Sequence, residues 1–94
     1  MGLYRYFHAH PELSHAERDT SARLAREFQT AGCKVIQRIG GYGLAGLMPN
    51  GAGPVILLRA EMDALPLAEK TGLPYASKRC GRDAAGKDVG VMHA

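Results

Sequence analysis

The sequence lacks any apolar run near the ~18–20 residues of a membrane span; the longest candidate, Pro54–Leu58, is far too short. Its amino terminus, Met1-Gly2-Leu3-Tyr4-Arg5-Tyr6, lacks the apolar stretch of a secretory signal. Cysteine is sparse: Cys33 and Cys80 lie far apart and neither has a CxxC partner. That excludes a disulfide framework and fits one core thiol and one loop thiol in a reducing compartment, so a cytoplasmic protein is expected. Basic clusters are missing as well. Up to Asn50 there are six basic against four acidic residues, and after it six against five, so the net charge of +3 is spread evenly. Neither nucleic acid nor a membrane surface is an expected partner. There is no internal repeat and no low-complexity tract. With 46% hydrophobic and 22% charged residues, a disordered tail, a collagen-like repeat and a coiled coil are all excluded. Ninety-four residues allow one domain at most, burying roughly 60–65% of the unfolded surface around one modest core.

What is present reads as helix, helix, strand, hairpin, then a long loop. Leu3, Tyr6 and Phe7 sit at helical spacing, and Pro11 stops that helix by disfavouring α geometry at His10. Ser14-His15-Ala16-Glu17 has the form of a capping box, with the Ser14 hydroxyl accepting from the Glu17 amide and the Glu17 carboxylate reaching back. Thr20, Leu24, Phe28 and Ala31 then give one buried stripe, opposite a solvated face of Arg18, Arg23, Arg26 and Glu27, and Gly32 closes the helix. From Cys33 to Ile39 the period changes to two, as in a half-exposed strand. Gly40-Gly41 marks a turn or bulge, Gly43–Met48 a second strand, and Val55–Ala60 a third whose unbroken apolar run suits burial on both faces. Asn50-Gly51 predicts the hairpin between the last two. Residues 3–66 are the expected ordered core. Residues 67–94 are the expected loop-like tail, with Lys78–Asp88 polar and without period. A sheet of about three strands under one helix layer leaves a face or an edge uncovered. The chain therefore reads as the beginning of something larger, and the exposed edge offers a route to a homo-oligomer.

Few residues carry chemistry. His8-Ala9-His10 falls at a helix end, where the two rings diverge by about 200°, so it reads as a pair of helix-terminal histidines rather than a metal site. Glu61-Met62-Asp63 follows directly on the apolar strand, where α/β proteins place their sites. Two carboxylates there suit metal binding, general-base work or the orienting of a histidine ligand, or else they are solvated residues at a strand exit. Asp63 makes the stronger claim, because Pro66 fixes the backbone path just beyond it.

Four motifs occur in order: His8-Ala9-His10-Pro11-Glu12-Leu13-Ser14 followed by Glu17 and Thr20; Leu58-Arg59-Ala60-Glu61-Met62-Asp63-Ala64-Leu65-Pro66 followed by Glu69; Thr71-Gly72-Leu73-Pro74-Tyr75-Ala76-Ser77; and Gly90-Val91-Met92-His93-Ala94. Together they resemble the metal-dependent N-acyl-amino-acid amidohydrolases, the hippurate hydrolase and auxin-conjugate hydrolase branch of the di-metal aminoacylase and carboxypeptidase family. The resemblance covers essentially the whole chain. It implies the N-terminal portion of an α/β, mixed-sheet, di-metal exopeptidase-like catalytic domain that hydrolyses N-acyl amino acids. It further implies two divalent ions (Mn, Zn, Ni or Co) in the parent, which activate a shared water while a glutamate takes the proton. The ligands and general base of that centre match nothing in these 94 residues, so no metal ligand is assigned here and the chain alone is expected to hold no metal and to be inactive. By the resemblance, Asp63 is the candidate catalytic-site residue and orients ligands from behind them. Glu61 stands where the wider superfamily has a metal-binding histidine and this branch commonly an aspartate. His93 neighbours the position of the ligand cysteine. The alternative is a non-catalytic remnant or oligomerising module; a barrel amidohydrolase using His8 and His10 would need a strand where the pattern has a helix.

Overall fold

Helix α1 (Gly2–Ala9) and helix α2 (Arg18–Thr30) precede four short strands: β1 (Lys34–Ile39), β2 (Gly43–Leu47), β3 (Cys80–Arg82) and β4 (Asp88–Gly90). They are seen in a computed structural model that describes residues 1–94. The class is α/β, as expected, and α1 ends before Pro11 as the proline requires.

α2 starts later than the capping-box pattern predicts. Its N-cap is Glu17, with no side-chain cap of its own. The first free amides go to Glu12 instead: Asp19 and Thr20 donate their backbone N–H to its two carboxylate oxygens at 3.2 and 2.6 Å. A carboxylate here satisfies two orphan donors and sits favourably at the positive end of the helix. The buried face comprises Thr20, Ser21 and Ala25, with Leu24 and Phe28 half-buried and Ala31 exposed.

The hairpin lies one turn earlier than expected. β1 and β2 pair antiparallel from Lys34↔Leu47 to Ile39↔Gly43, with a bulge at Arg38, and the chain reverses through Gly40 and Gly41 at φ 61° and 113°. α2 lies across both strands. Gly46 is required there, because a Cβ would come within 2.9 Å of the Phe28 ring. Asn50-Gly51 only bends the chain. Residues 55–60 form no strand, so the expected hairpin has no second arm.

Val55–Ala60 is the sharpest departure from the sequence reading. It forms no strand, pairs with nothing, and leaves Val55, Ile56, Leu57 and Leu58 exposed at 95%, 83%, 88% and 91%. An apolar run of this kind needs neighbours on both edges and both faces, and neither two-stranded sheet, β1-β2 or β3-β4, takes it up as a third strand. The tail holds the opposite surprise. Within the stretch read as loop, β3 and β4 form a hairpin whose turn is organised by Asp83, its carboxylate accepting from the Ala85 and Lys87 amides at 2.9 Å each. Strands of three residues are too short to show a period. Ser77 and Val91, also in the tail, are buried, and the Ser77 hydroxyl donates to the Val91 carbonyl at 2.6 Å.

The expected core is barely closed. The buried apolar residues are Pro11, Ala25, Ala64 and Val91, none of them large. The accessible surface is 7295 Å², against about 5,300 Å² for a compact monomer of this mass. The radius of gyration is 15.3 Å, against about 12 Å for a compact chain of this length.

Candidate functional site

Three segments far apart in sequence run side by side at the centre of the molecule. Leu13 bridges Ala64 in parallel, the Ala64 amide donating to the Glu12 carbonyl at 2.8 Å. On its other side Leu65 bridges Met92 antiparallel, with reciprocal amide bonds of 2.8 and 3.1 Å. The middle segment thus brings the end of Glu61-Met62-Asp63 between Pro11-Glu12-Leu13-Ser14 and Val91-Met92-His93. Three of the four motifs singled out in the sequence meet here, and Ala64 between them is buried.

Around this junction the structure places each candidate residue. The Asp63 carboxylate accepts from the Ser14 hydroxyl through Oδ2. His93 is half-buried; burial pushes its imidazole below the ordinary histidine value and nearby His8 adds to this, while Asp63 opposes it. Glu61 is exposed and reaches Arg59 at 3.5 Å. It lies on the wall shared by two cavities. One, of about 260 Å³, is mostly apolar and includes Tyr4, Phe7, Leu24, Met62, His8 and His93. The other, of about 380 Å³, is polar and includes Ser14, His15, Arg59 and Asp63. Asp63 and His93 are therefore brought together, and Glu61 stands at the rim between them.

The HxH pair divides as its helical setting requires. His10 bonds the Tyr6 carbonyl through Nδ1 at 2.7 Å and stacks on the Tyr6 ring. His8 points elsewhere, its Nε2 2.7 Å from Glu69 Oε1. Glu69 also accepts from the Thr71 hydroxyl and the Ser77 amide, at 2.5 Å each. His8, Thr71 and Ser77, in that order, pull the Glu69 carboxyl down to about 2. Neither Glu69 nor Glu12 carried a role in the sequence reading. Their signal was their place inside the motifs, which spacing alone does not convert into a contact.

Two divalent ions, which the resemblance implies, would each need about three protein donors. No group of three His, Cys, Asp or Glu side chains converges in this chain. Asp63, Glu61 and His93 do not by themselves fit a di-metal centre.

Comparison with known proteins defines the class. No family model matches the chain. It is similar to the dinuclear metal binding peptidase YXEP of Bacillus subtilis, from the M20 family, with 33% identity and a TM-score of 0.78 over 98% of this chain and 24% of that one. It is 39% identical to the N-acetyl-L-cysteine deacetylase of Bacillus subtilis over 100% of this chain and 21% of that protein. It is 41% identical to the hippurate hydrolase of Campylobacter jejuni over 81% of this chain and 22% of that protein. The fold and the joined motifs are those of a hydrolase domain of the M20 peptidase class. Its sequence relatives within that class are hydrolases of amide bonds by name, matched over their own first fifth or so of length. It spans about a fifth of the length of the curated relatives it matches. No helix is long and apolar enough to cross a membrane.

Proposed function

We propose that these residues are the N-terminal part of a metal-dependent amidohydrolase that cleaves the amide bond of N-acyl amino acids, hippurate-type substrates among them. The carrying observation is the junction at Ala64, where three motifs from distant parts of the sequence bond to one another. The dinuclear metal binding of the YXEP peptidase, and the N-acetyl-L-cysteine deacetylase and hippurate hydrolase among the relatives, support the same reading. Two divalent ions of the Mn, Zn, Ni or Co kind supply a polarised carbonyl and an activated water when bound. Their ligands come from polypeptide outside these 94 residues, since no sufficient donor set converges here.

What this chain contributes is support. The Asp63 carboxylate is held at the junction and orients a donor beside it. His93, whose imidazole burial pushes below the ordinary histidine value, forms part of the wall of the apolar cavity. Glu61 places a second negative charge at the rim. With Cys33 and Cys80 unpaired, the reading places the enzyme in the cytoplasm.

The test is to read the frame past Ala94 and assay the polypeptide it encodes. Hydrolysis of hippurate or an N-acetyl amino acid, abolished by a chelator and restored by added metal, is expected. A metal-replete product with no such activity overturns the reading. A second reading, an oligomerising module without activity, is favoured by one observation, the exposed run Val55–Leu58. A stop codon after Ala94 together with a defined oligomer would select it.

A further inference from the structure

We propose that Ser14 is a positioning residue for the Asp63 carboxylate, a role that rests on the reading of Asp63 as the group that orients the site. In sequence Ser14 opens a capping box, and a serine so placed ordinarily spends its oxygen on the first helical amides. Here that work is done elsewhere. Glu12 takes the amides of Asp19 and Thr20, and α2 begins four residues beyond Ser14, at Arg18. The hydroxyl is released, and it donates to Asp63 Oδ2 across 49 residues of sequence.

The backbone makes the reach dependable. The Ala64 amide bonds the Glu12 carbonyl, and the Leu13–Ala64 bridge locks the two segments immediately beside both side chains. Leu65 is pinned to Met92 on the far side, so the main chain on either flank of the contact is fixed. One oxygen of Asp63 is thus occupied, and no other group of the chain bonds its carboxylate. A carboxylate held at Oδ2 with Oδ1 left to accept is the arrangement by which an acidic side chain fixes an imidazole N–H or a similar donor. Ser14 also lines the polar cavity with Asp63 and Glu61, so the contact is on the site's own wall. Because the bond is solvent-exposed, it adds little to stability; its effect is on where the carboxylate points.

The test has two arms. In the 94-residue chain, the Asp63 side-chain carboxyl ¹³C resonance at neutral pH shifts in Ser14→Ala and returns toward the wild-type position in Ser14→Thr. The Asp19 and Thr20 amides keep their exchange rates in both variants. An Asp63 resonance indifferent to Ser14→Ala overturns the proposal, as does loss of Asp19 and Thr20 protection, which would return Ser14 to the cap. In the polypeptide encoded by the full reading frame, Ser14→Ala lowers kcat by about 10-fold, the lower end of the range for groups that orient metal ligands. KM stays unchanged and Ser14→Thr recovers the rate. Full activity of Ser14→Ala beside an active wild type also overturns the proposal. If the wild type itself is inactive, the amidohydrolase reading fails, and the carboxyl resonance alone then decides whether Ser14 holds Asp63.

Discussion

His8 and Glu69 lie 61 residues apart in sequence, and the imidazole Nε2 of one stands 2.7 Å from Oε1 of the other. The Glu69 side chain has no exposed surface and that of His8 is 11% exposed. Tyr4 and Tyr75 flank the imidazole, with ring centroids at 5.9 and 5.4 Å. The pair ties α1 to the segment that leads into β3, and in a chain with so few buried apolar residues such a tie has unusual weight. Glu69 satisfies both oxygens with three donors, so it is a buried polar group with its bonds made.

Stability should therefore fall in acid, in a window set by Glu69. Its folded value, about 2, lies below the ordinary 4.5, so the ionised form is the one the fold favours. That contribution is complete above the unfolded value and is lost as the pH drops from about 4.5 toward about 2. His93 acts in the same sense at higher pH: burial favours its neutral form, so its share is present above 6.5 and declines as the pH falls below it. Thermal melts followed by circular dichroism between pH 7 and pH 2 should show the acid limb, and Glu69→Gln should flatten it while lowering the midpoint at pH 7. An unchanged limb in Glu69→Gln would remove Glu69 from the account.

The exposed run Val55–Leu58 predicts association. Four consecutive apolar residues with unpaired backbone form a template for another strand, and they end an uncharged stretch that extends from Ile39 to Leu58. Amide exchange there should be at unprotected rates in dilute monomer and slow down as concentration rises. Ile56→Lys should shift the chain toward monomer in sedimentation analysis. Protection of Val55–Leu58 in a demonstrated monomer would contradict the exposed placement.

The sequence made some of this legible and hid the rest for definable reasons. α1, α2, β1 and β2 announce themselves through period and through Pro11, because local sterics and one-sided burial fix them. Val55–Leu58 has the composition of a strand buried on both faces, and composition cannot say whether the cover is present in the same 94 residues. The Ser14 pattern was a capping box in form, yet Glu12, two residues earlier, reaches the same amides with two oxygens and displaces it. β3 and β4 are held by an Asp83 turn rather than by alternation, so no period revealed them. Asp63 and His93 were identified from their motifs, but their proximity depends on the Leu65–Met92 bridge, a tertiary contact with no local signature.

The cap itself can be measured. Removing the Glu12 carboxylate leaves the Asp19 and Thr20 amides without partners at the positive end of α2. Glu12→Ala should cost about 0.5–2 kcal/mol, the usual range for loss of a helix cap. Exchange at Thr20, whose bond is the shorter at 2.6 Å, should accelerate more than at Asp19. Ser14→Ala should leave both amides as they were. A Glu12→Ala chain as stable as wild type, with Thr20 still protected, would assign the cap to another group.

Metal content is the remaining test, and it follows from donor placement. A catalytic zinc-type site takes three protein ligands per ion, with neutral imidazole or thiolate commonly among them. Such donors exist here but are dispersed or already engaged. His8 is bonded to Glu69 and His10 to Tyr6. Cys33 and Cys80 are free, and no three His, Cys, Asp or Glu side chains converge. Asp63, Glu61 and Glu17 present acidic oxygens along the polar cavity without converging on one point, and such dispersed carboxylates hold a divalent ion weakly. The 94-residue chain, loaded with Zn or Mn and dialysed, should therefore retain well under one equivalent by elemental analysis and leave hippurate and N-acetyl amino acids intact. Retention of one or two equivalents with turnover would mean that a full ligand set forms between copies of the chain, and the association predicted for Val55–Leu58 would then be the first place to look for it.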